Sequence, residues 1–153
     1  MRPFPIFEKL LTFETECAIV PIPKQSTAFG RGHSYTPKRQ ADYVKKLKRH
    51  FNSKFPYKGL FEGPIHIQVL FVFPAKGKAK KEKLGDRGWY PHTTVPDKDN
   101  LIKPVFDAMT GTVWKDDKYV FRKDVMAVYS TFAKIVVSAT LCKIPKISEY
   151  RLH

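Results

Sequence analysis

Six aspartates lie between positions 97 and 124, and they make up six of the 14 acidic residues in the chain. They are Asp97, Asp99, Asp107, Asp116, Asp117 and Asp124. Grouping like charges costs free energy unless a cation or hydrogen bonds offset the repulsion. The cluster therefore predicts a site for Mg²⁺, a hard ion that binds carboxylate, water and phosphate oxygens, with Mn²⁺ as a substitute. Such an ion helps to generate hydroxide from bound water and neutralises the charge that develops on a phosphate during hydrolysis.

The spacing of Asp99, Lys103 and Asp107 supports such a site, because residues at i, i+4 and i+8 project from one face of a helix. A helix is predicted at about residues 100–110, ended by the glycine that follows. The opposite face of this helix is apolar and predicts the side that packs on the core, with Ile102, Val105, Phe106 and Met109.

Pro104 lies inside this predicted helix, where a proline has no N–H to donate and clashes with the carbonyl of residue 100. We therefore expect a helix that is kinked or that begins nearer residue 101. Asp116 and Asp117 come after the turn at Gly111. This turn allows their side chains to fold back toward the first two aspartates of the cluster.

A simpler interpretation of the aspartates is helix capping, because Asp at a helix N-terminus accepts hydrogen bonds from N–H groups and complements the helix dipole. A lone Asp-x-Asp-Asn motif favours this role, and an isolated Asp-Asp pair is typical of an exposed turn. Three features together favour a catalytic site instead. They are the presence of both acidic motifs, a lysine one helical turn on, and the basic chain around them.

The charge balance of the 153-residue chain points to an anionic partner. Lys and Arg total 28 against 14 acidic residues, which gives a formal net charge of +14. A charge of this size suits a protein that neutralises phosphates and releases their counterions. A membrane-surface protein can be equally basic, but it needs a basic amphipathic helix or an apolar anchor. No apolar run approaches the roughly 18 residues that span a bilayer, so we expect an intracellular protein without a membrane partner.

Basic residues concentrate in two segments, and their density favours phosphate contact over the alternative of a solvated surface. The candidate DNA-binding residues are Lys24, Arg31, Lys38, Arg39, Lys76, Lys78, Lys80 and Lys81. Aromatic residues such as Trp89 lie among these charges, and both base stacking and core packing are compatible with the sequence there. His92 lies near the acidic cluster and is a candidate proton shuttle, although a structural histidine is the commoner case.

The apolar patterns predict the element order β, α, β, long loop, α, β, β. Strands are expected at about residues 13–20, 64–73, 120–129 and 131–141, and a helix after the Thr-Pro start signal at about position 36. This order predicts an α/β (α+β) fold, a two-layer sandwich in which a small mixed sheet carries helices on one face. A short turn near Ser130 joins the last two strands, so we expect these strands to pair antiparallel. Residues 74–95, with six basic residues, are expected to form a mobile surface segment.

The acidic segment also resembles the signature of a known family, the RusA family of Holliday-junction resolvases. DKDNLIKPVFDAMTG, at residues 97–111, and the following VWKDDKYV match the family pattern of Asp-x-Asp-Asn-Leu-x-Lys, Asp-Ala, Gly and a downstream Asp-Asp. The likeness extends more weakly to the Pro-Lys pair at Lys24, the helix start at Tyr35 and the strand at residues 63–73. We therefore expect one nuclease domain over residues 1–142 and a C-terminal extension over residues 143–153.

The resemblance implies roles for individual residues. The implied catalytic residues are Asp97, Asp99, Asp117 and Lys103, and the implied metal ligands are Asp97, Asp99, Asp117 and Asp116. In these roles Lys103 would contact the scissile phosphate and Asn100 would orient the site. Asp107 is expected to belong to the scaffold, where it can form an ion pair with Lys103.

The resemblance further implies a crossover junction endodeoxyribonuclease, common in prophages, that acts in DNA recombination and repair. It implies a homodimer that nicks opposing strands of a four-way junction symmetrically, because a two-fold enzyme suits a two-fold substrate. The expected location is the cytoplasm of a bacterium or of a phage-infected host, in association with the nucleoid. Two alternatives remain open. One is a less structure-selective metal nuclease for branched or single-stranded DNA, and the other is a non-catalytic, basic DNA-binding protein with capping aspartates.

Overall fold

The strands and helices follow one another in an order close to the predicted one. A computed structural model describes residues 7–25, 28–30, 33–35 and 37–144, the two short ranges by their backbone alone. Its strands are β1 (Lys9–Cys17), β2 (Ala28–Gly30), β3 (His33–Tyr35), β4 (Ile65–Pro74), β5 (Trp89–Pro91), β6 (Val120–Ser130) and β7 (Lys134–Cys142). Its helices are α1 (Lys38–Lys54), α2 (Lys78–Leu84) and α3 (Lys98–Met109), and one turn of 3-10 helix spans Asp117–Tyr119.

Five of the strands form one mixed sheet in the order β1-β7-β4-β6-β5. The central strand β4 pairs parallel with β6 and antiparallel with β7. The outer pairs, β1 with β7 and β5 with β6, are antiparallel, and β2 and β3 form a separate ribbon. The predicted α/β (α+β) fold, with a small mixed sheet and helices packed on it, is therefore confirmed.

The predicted antiparallel pairing of the last two strands is wrong, because β4 lies between β6 and β7. On β4, Ile67 and Phe71 are fully buried on the face that the helices cover, and Val72 is buried on the other face. A strand that is apolar on both faces is most stable at the centre of a sheet. The three residues 131–133 are long enough to cross the roughly 10 Å between two strands that flank a third.

The hydrophobic core lies between the sheet and the helices α1 and α3. Tyr43, Leu47 and Phe51 follow one another at helical spacing on α1, and each is at most 2% exposed. Leu101 and Val105 form the matching buried side of α3. Burial of each such side chain stabilises the fold by roughly 1.5–3 kcal/mol. The core therefore fixes α3 against the sheet, and with it the aspartates at the N-terminus of this helix.

A tryptophan anchors the chain after α3. The Trp114 ring is fully buried, its Nε1 donates to Thr110 Oγ1 at 3.0 Å, and it packs edge-on against Phe106 at 5.3 Å. The intervening turn uses Gly111, whose φ of +87° lies in the left-handed region that favours glycine. This anchored turn carries the chain to Asp116 at the start of the 3-10 turn.

Residues 74–95 were expected to be a mobile surface segment, but they contain α2 and β5. Strand β5 pairs with β6 through the register Tyr90 to Tyr129, and the two tyrosine rings stack at 4.9 Å. This stacking depends on a residue that lies far along the chain, so no local pattern in the sequence reports it.

None of the helices in the described ranges is long and apolar enough to cross a bilayer. Strand β7 ends at Cys142. The division into a nuclease domain of residues 1–142 and an extension of residues 143–153 stays a prediction.

Candidate active site

Asp97 is the N-cap residue of α3. Its Oδ1 accepts a hydrogen bond from the backbone N–H of Asn100 at 2.9 Å, and the helix begins at Lys98. The sequence predicted a helix that is kinked or that begins near residue 101. The observed helix begins three residues earlier, and Pro104 lies inside it. Because the cap uses one carboxylate oxygen, the second oxygen of Asp97 can still bind a cation.

Pro104 links α3 to the segment before α1. A residue with an N–H at position 104 would donate to the Asn100 carbonyl, but proline has none. The Asn100 carbonyl instead accepts a hydrogen bond from the backbone N–H of Lys24 at 2.7 Å. This bond places Lys24, a predicted DNA-binding residue with an exposed side chain, beside the first turn of α3.

An open pocket of about 280 Å³ lies in front of this helix N-terminus. It contains two of the predicted catalytic carboxylates, and its lining residues are His92, Thr93, Thr94, Pro96, Asp97, Lys98 and Asp99. We call it the acidic pocket. Asp97, Asp99 and His92 were predicted from the sequence as candidates in this region. The two threonines, whose hydroxyls add polar groups to the wall, were not.

Lys123 is a site residue that the sequence analysis missed. Its Nζ lies 3.4 Å from Oδ1 of Asp99, and both side chains are substantially exposed. On β6, Lys123 lies two residues before Val125 and four before Ala127, which pack on the core. Residues two apart on a strand point to the same side, so Lys123 shares their face. The sequence signal for this residue is a lysine at a core-facing position near the start of an apolar strand.

The other predicted site residues lie outside the lining of the acidic pocket. Lys103 is exposed on α3, one turn after Asp99. Asp116 caps the 3-10 turn through a hydrogen bond from the Lys118 N–H to its Oδ1 at 2.9 Å, and Asp117 is exposed in that turn. The suggested ion pair between Lys103 and Asp107 does not form among the described residues.

Asp124, the last aspartate of the cluster, lies on the opposite face of the sheet. His66 Nε2 donates to its Oδ2 at 2.7 Å, and Arg122 Nε lies 3.3 Å from the same oxygen. The hydrogen bond from His66 lowers the pKa of the Asp124 carboxyl, and Arg122 lowers this pKa further. Asp124 therefore belongs to a polar cluster on the outer face and not to the acidic pocket.

The donors in the acidic pocket fit Mg²⁺ in kind, because carboxylate oxygens are the ligands that this ion prefers. Among the side chains that the structure describes, no three from His, Cys, Asp and Glu lie close enough together to hold one metal ion. Mg²⁺ often uses one or two protein carboxylates and completes its shell with water and substrate phosphate. Asp97 and Asp99 fit this smaller contribution, and ligation by Asp116 or Asp117 stays a prediction.

His92 lies in the wall of the acidic pocket within a stack of aromatic rings. Its imidazole packs against Phe73 at 4.7 Å and Tyr129 at 4.9 Å, two rings whose own centroids lie 6.1 Å apart, and the residue is 5% exposed. Burial lowers the pKa of His92, and the positive charges of Lys80 and Lys98 lower this pKa further. The lowered pKa keeps the imidazole neutral near pH 7, and a neutral imidazole can accept a proton. The proton-shuttle role of His92 stays a prediction.

Two exposed segments carry most of the predicted DNA-binding residues. Lys38 and Arg39 are exposed in the first turn of α1. The second segment is exposed on and just before α2, with Lys76, Lys78, Lys80 and Lys81. Arg31 lies outside the described residues. Lys80 Nζ lies 4.8 Å from the centroid of the Tyr129 ring that stacks on His92, so the basic surface of α2 adjoins the acidic pocket.

Comparison with known proteins identifies the family. A model of the family described as "Endodeoxyribonuclease RusA" matches residues 18–140, a range that includes all six aspartates of the cluster. The chain belongs to this endodeoxyribonuclease family, which confirms the resemblance found in the sequence.

A particular relative comes from Bacillus subtilis (strain 168) and is named "Uncharacterized protein YqaN". It is 30% identical to this chain over 120 residues, which cover 75% of this chain and 83% of the relative. Family membership makes the protein an endodeoxyribonuclease, and its substrate is therefore DNA.

Proposed function

We propose that the protein is a Mg²⁺-dependent endonuclease that resolves four-way DNA junctions by paired symmetric nicks, in recombination and repair. The acidic pocket is the observation that supports this proposal most directly, because Asp97 and Asp99 line it together and Lys123 reaches Asp99. A pair of carboxylates in a chain of net charge +14 offers a divalent cation a site beside surfaces that attract phosphates.

The proposed ligands are Asp97, Asp99, Asp116 and Asp117, and Mg²⁺ bound there would supply hydroxide from water and neutralise charge on the scissile phosphate. The chain orients this site in advance. The Asn100 N–H holds Oδ1 of Asp97, which fixes the direction of the second oxygen. Lys103, one helical turn after Asp99, is the proposed contact to the scissile phosphate, where its charge would stabilise the transition state.

Two basic surfaces are proposed to hold the arms of the junction. One contains Lys24, Lys38 and Arg39, and the other contains Lys76, Lys78, Lys80 and Lys81; Arg31, which lies outside the described residues, is a further proposed DNA contact. The hydrogen bond between Lys24 and Asn100 ties the first surface to the N-terminus of α3. We further propose a homodimer, because two identical sites related by a two-fold axis can address opposing strands of like polarity.

The experiment is cleavage of a labelled synthetic four-way junction with and without Mg²⁺, with a linear duplex of the same sequence as substrate control. The test variant is Asp97→Asn, because asparagine caps a helix about as well as aspartate and leaves α3 intact. The matched control is Asp107→Asn, on an exposed position of the same helix. We expect Asp97→Asn to lower the cleavage rate at least about 100-fold while junction binding persists, and Asp107→Asn to cut normally.

Each other outcome would contradict a different part of the proposal. Cleavage by Asp97→Asn at the normal rate would contradict the site assignment. Equal cutting of the linear duplex would favour a nuclease with little preference for DNA structure. Binding without cleavage at any Mg²⁺ or Mn²⁺ concentration would favour a non-catalytic DNA-binding protein. A chain that sediments as a monomer on the junction would contradict the homodimer.

A further inference from the structure

The outer face of the sheet, which α1 and α3 leave uncovered, contains an apolar groove of about 430 Å³ at the β5 edge. Three large side chains in it are about half exposed: Trp89 at 41%, Met126 at 54% and Phe132 at 50%. Leu70, Val72 and Val128 also line the groove, on the neighbouring strands β4 and β6. Exposed apolar side chains gathered in one groove are typical of a binding surface.

Each aromatic ring at the rim of the groove has a cation beside it. The Arg87 guanidinium carbon lies 5.0 Å from the centroid of the Trp89 ring, and Arg87 Nε donates to the Trp89 carbonyl at 2.9 Å. Lys134 Nζ lies 5.2 Å from the centroid of the Phe132 ring and 3.1 Å from Oε1 of Glu16. Flat apolar surface with cations at its rim matches the two parts of a nucleotide, the base and the phosphate.

The groove and the acidic pocket lie on either side of the edge strand β5. Trp89 lines the groove, and His92, three residues later, lines the acidic pocket. Three residues of strand span roughly 10 Å. A DNA strand that crosses this edge can therefore place one phosphate at the acidic pocket and a base from a nearby nucleotide in the groove.

A second copy of the chain is the competing occupant, since apolar grooves also form dimer interfaces. A two-fold contact brings the same patch of both copies together, so it would gather Arg87 and Lys134 of both copies around one interface. Like charges at an interface are unfavourable, whereas DNA brings phosphates to these cations. The charge of the rim therefore favours DNA.

We propose that this groove holds an unpaired nucleobase of the DNA substrate, stacked against Trp89 and Phe132. The inference rests on the proposed function and adds a source of selectivity to it. In a linear duplex every base is paired and stacked, so a base can enter the groove only if its base pair is first broken. At a branch point, bases are free to leave the stack, and the groove then favours branched DNA over linear duplex.

The test measures the binding of the full chain to three labelled DNAs in EDTA, where metal-dependent cleavage cannot occur. The DNAs are a four-way junction, a single-stranded oligonucleotide and a linear duplex. The variants are Trp89→Ala and Phe132→Ala. The control is Leu10→Ala, a residue 52% exposed on β1 at the opposite edge of the sheet.

We expect each aromatic variant to bind the junction and the single strand about tenfold more weakly, and the duplex within about twofold of normal. Trp89→Phe, which keeps an aromatic face, and Leu10→Ala are expected to bind all three DNAs normally. Equal weakening for all three DNAs, or no weakening, would overturn the proposal. A shift from dimer to monomer in sedimentation of the aromatic variants would also overturn it, because the groove would then belong to the dimer interface.

The two proposals fail separately. Cleavage of the junction by the unaltered chain in Mg²⁺ tests the proposed function, and this result does not depend on the groove. Normal junction cleavage combined with normal binding by Phe132→Ala would reject the nucleobase site alone.

Discussion

Two of the proposed metal ligands are aspartates that also cap helical turns. Asp97 and Asp116 each accept a backbone N–H at 2.9 Å through Oδ1. From the sequence, capping and metal binding are competing interpretations, but a carboxylate has two oxygens and can serve both roles. The cap also fixes the orientation of the side chain. A carboxylate that is oriented before the substrate arrives loses less entropy when it binds a cation.

Lys123 carries a testable consequence at the residue scale. Its ammonium group lies 3.4 Å from the Asp99 carboxylate, so it competes with any cation that binds there. Replacing it by methionine removes the repulsion between the two cations, which is about 1 kcal/mol for two unit charges about 4 Å apart in water and larger for a divalent ion. We therefore expect Lys123→Met to lower the Mg²⁺ concentration for half-maximal cleavage at least about fivefold, as measured by metal titration of junction cutting.

The matched control for this experiment is Lys143→Met. Lys143 is also an exposed lysine in an ion pair, 3.3 Å from Glu8, but it follows β7 and lies outside the acidic pocket. Both ion pairs are exposed, so neither substitution should change the free energy of unfolding by more than about 1 kcal/mol. An unchanged or higher Mg²⁺ requirement in Lys123→Met would show that Lys123 does not compete for the Asp99 carboxylate.

At the scale of the elements, Pro104 connects α3 to the segment that carries Lys24. Pro104→Ala would supply an N–H at position 104, which would compete with the Lys24 N–H for the Asn100 carbonyl. We expect the amide hydrogen of Lys24 to exchange with solvent faster in this variant, while the amides in the last turn of α3 exchange as before. Hydrogen exchange of individual amides by NMR measures both effects. Unchanged exchange at Lys24 would show that the Asn100 carbonyl accepts both donors.

At the scale of the whole molecule, two histidines link the stability of the fold to pH. Burial lowers the pKa of His92 and of His50, and nearby lysines lower both pKa values further. In the unfolded chain an imidazole has a pKa of about 6.5. Just below pH 6.5 the unfolded chain therefore binds protons that the folded chain does not, and the free energy of unfolding rises with pH through this window. The contribution is fully present above the unfolded pKa, so acidification below about pH 6.5 should destabilise the fold.

Denaturant unfolding at a series of pH values measures this dependence. We expect His92→Phe to flatten the profile between about pH 5 and 7, because phenylalanine can stay in the aromatic stack and does not titrate in this range. His50 remains in the variant, so part of the slope should persist. The carboxyl of Asp124 acts at lower pH, since its pKa is lowered from 3.8. A profile as steep as that of the unaltered chain would show that His92 does not take up a proton on unfolding.

The sequence predicts those parts of the fold that depend on local pattern. The helix α1 and the strands β4, β6 and β7 follow from apolar periodicity and turn signals, and the structure places their ends within about three residues of expectation. The pairing of the strands is different, because a short loop at Ser130 favours a hairpin locally. The placement of β4 between β6 and β7 is decided by burial on both its faces, which is a property of the assembled sheet.

The candidate site divides in the same way. Asp97 and Asp99 follow from the clustering of aspartates and from the motif that resembles the family signature, and the structure places both in one pocket. Lys123 joins the site because β6 packs against α3, and this contact depends on the tertiary fold. In the sequence, Lys123 is visible only as a lysine on the core side of a strand. Asp124 belongs to the same acidic run but alternates to the outer face, because adjacent residues of a strand point to opposite sides.

The position of β7 has a consequence for folding during synthesis on the ribosome. Strands β1 and β4 emerge early, yet their shared neighbour is β7, the last strand in the part of the chain that the structure describes. Until Cys142 has left the exit tunnel, both early strands lack that neighbour and the sheet cannot close, so α3 has no finished surface on which to dock. A nascent chain of this nuclease should therefore be unable to cut DNA. Its bare strand edges also make interrupted chains ready targets for chaperones and proteases.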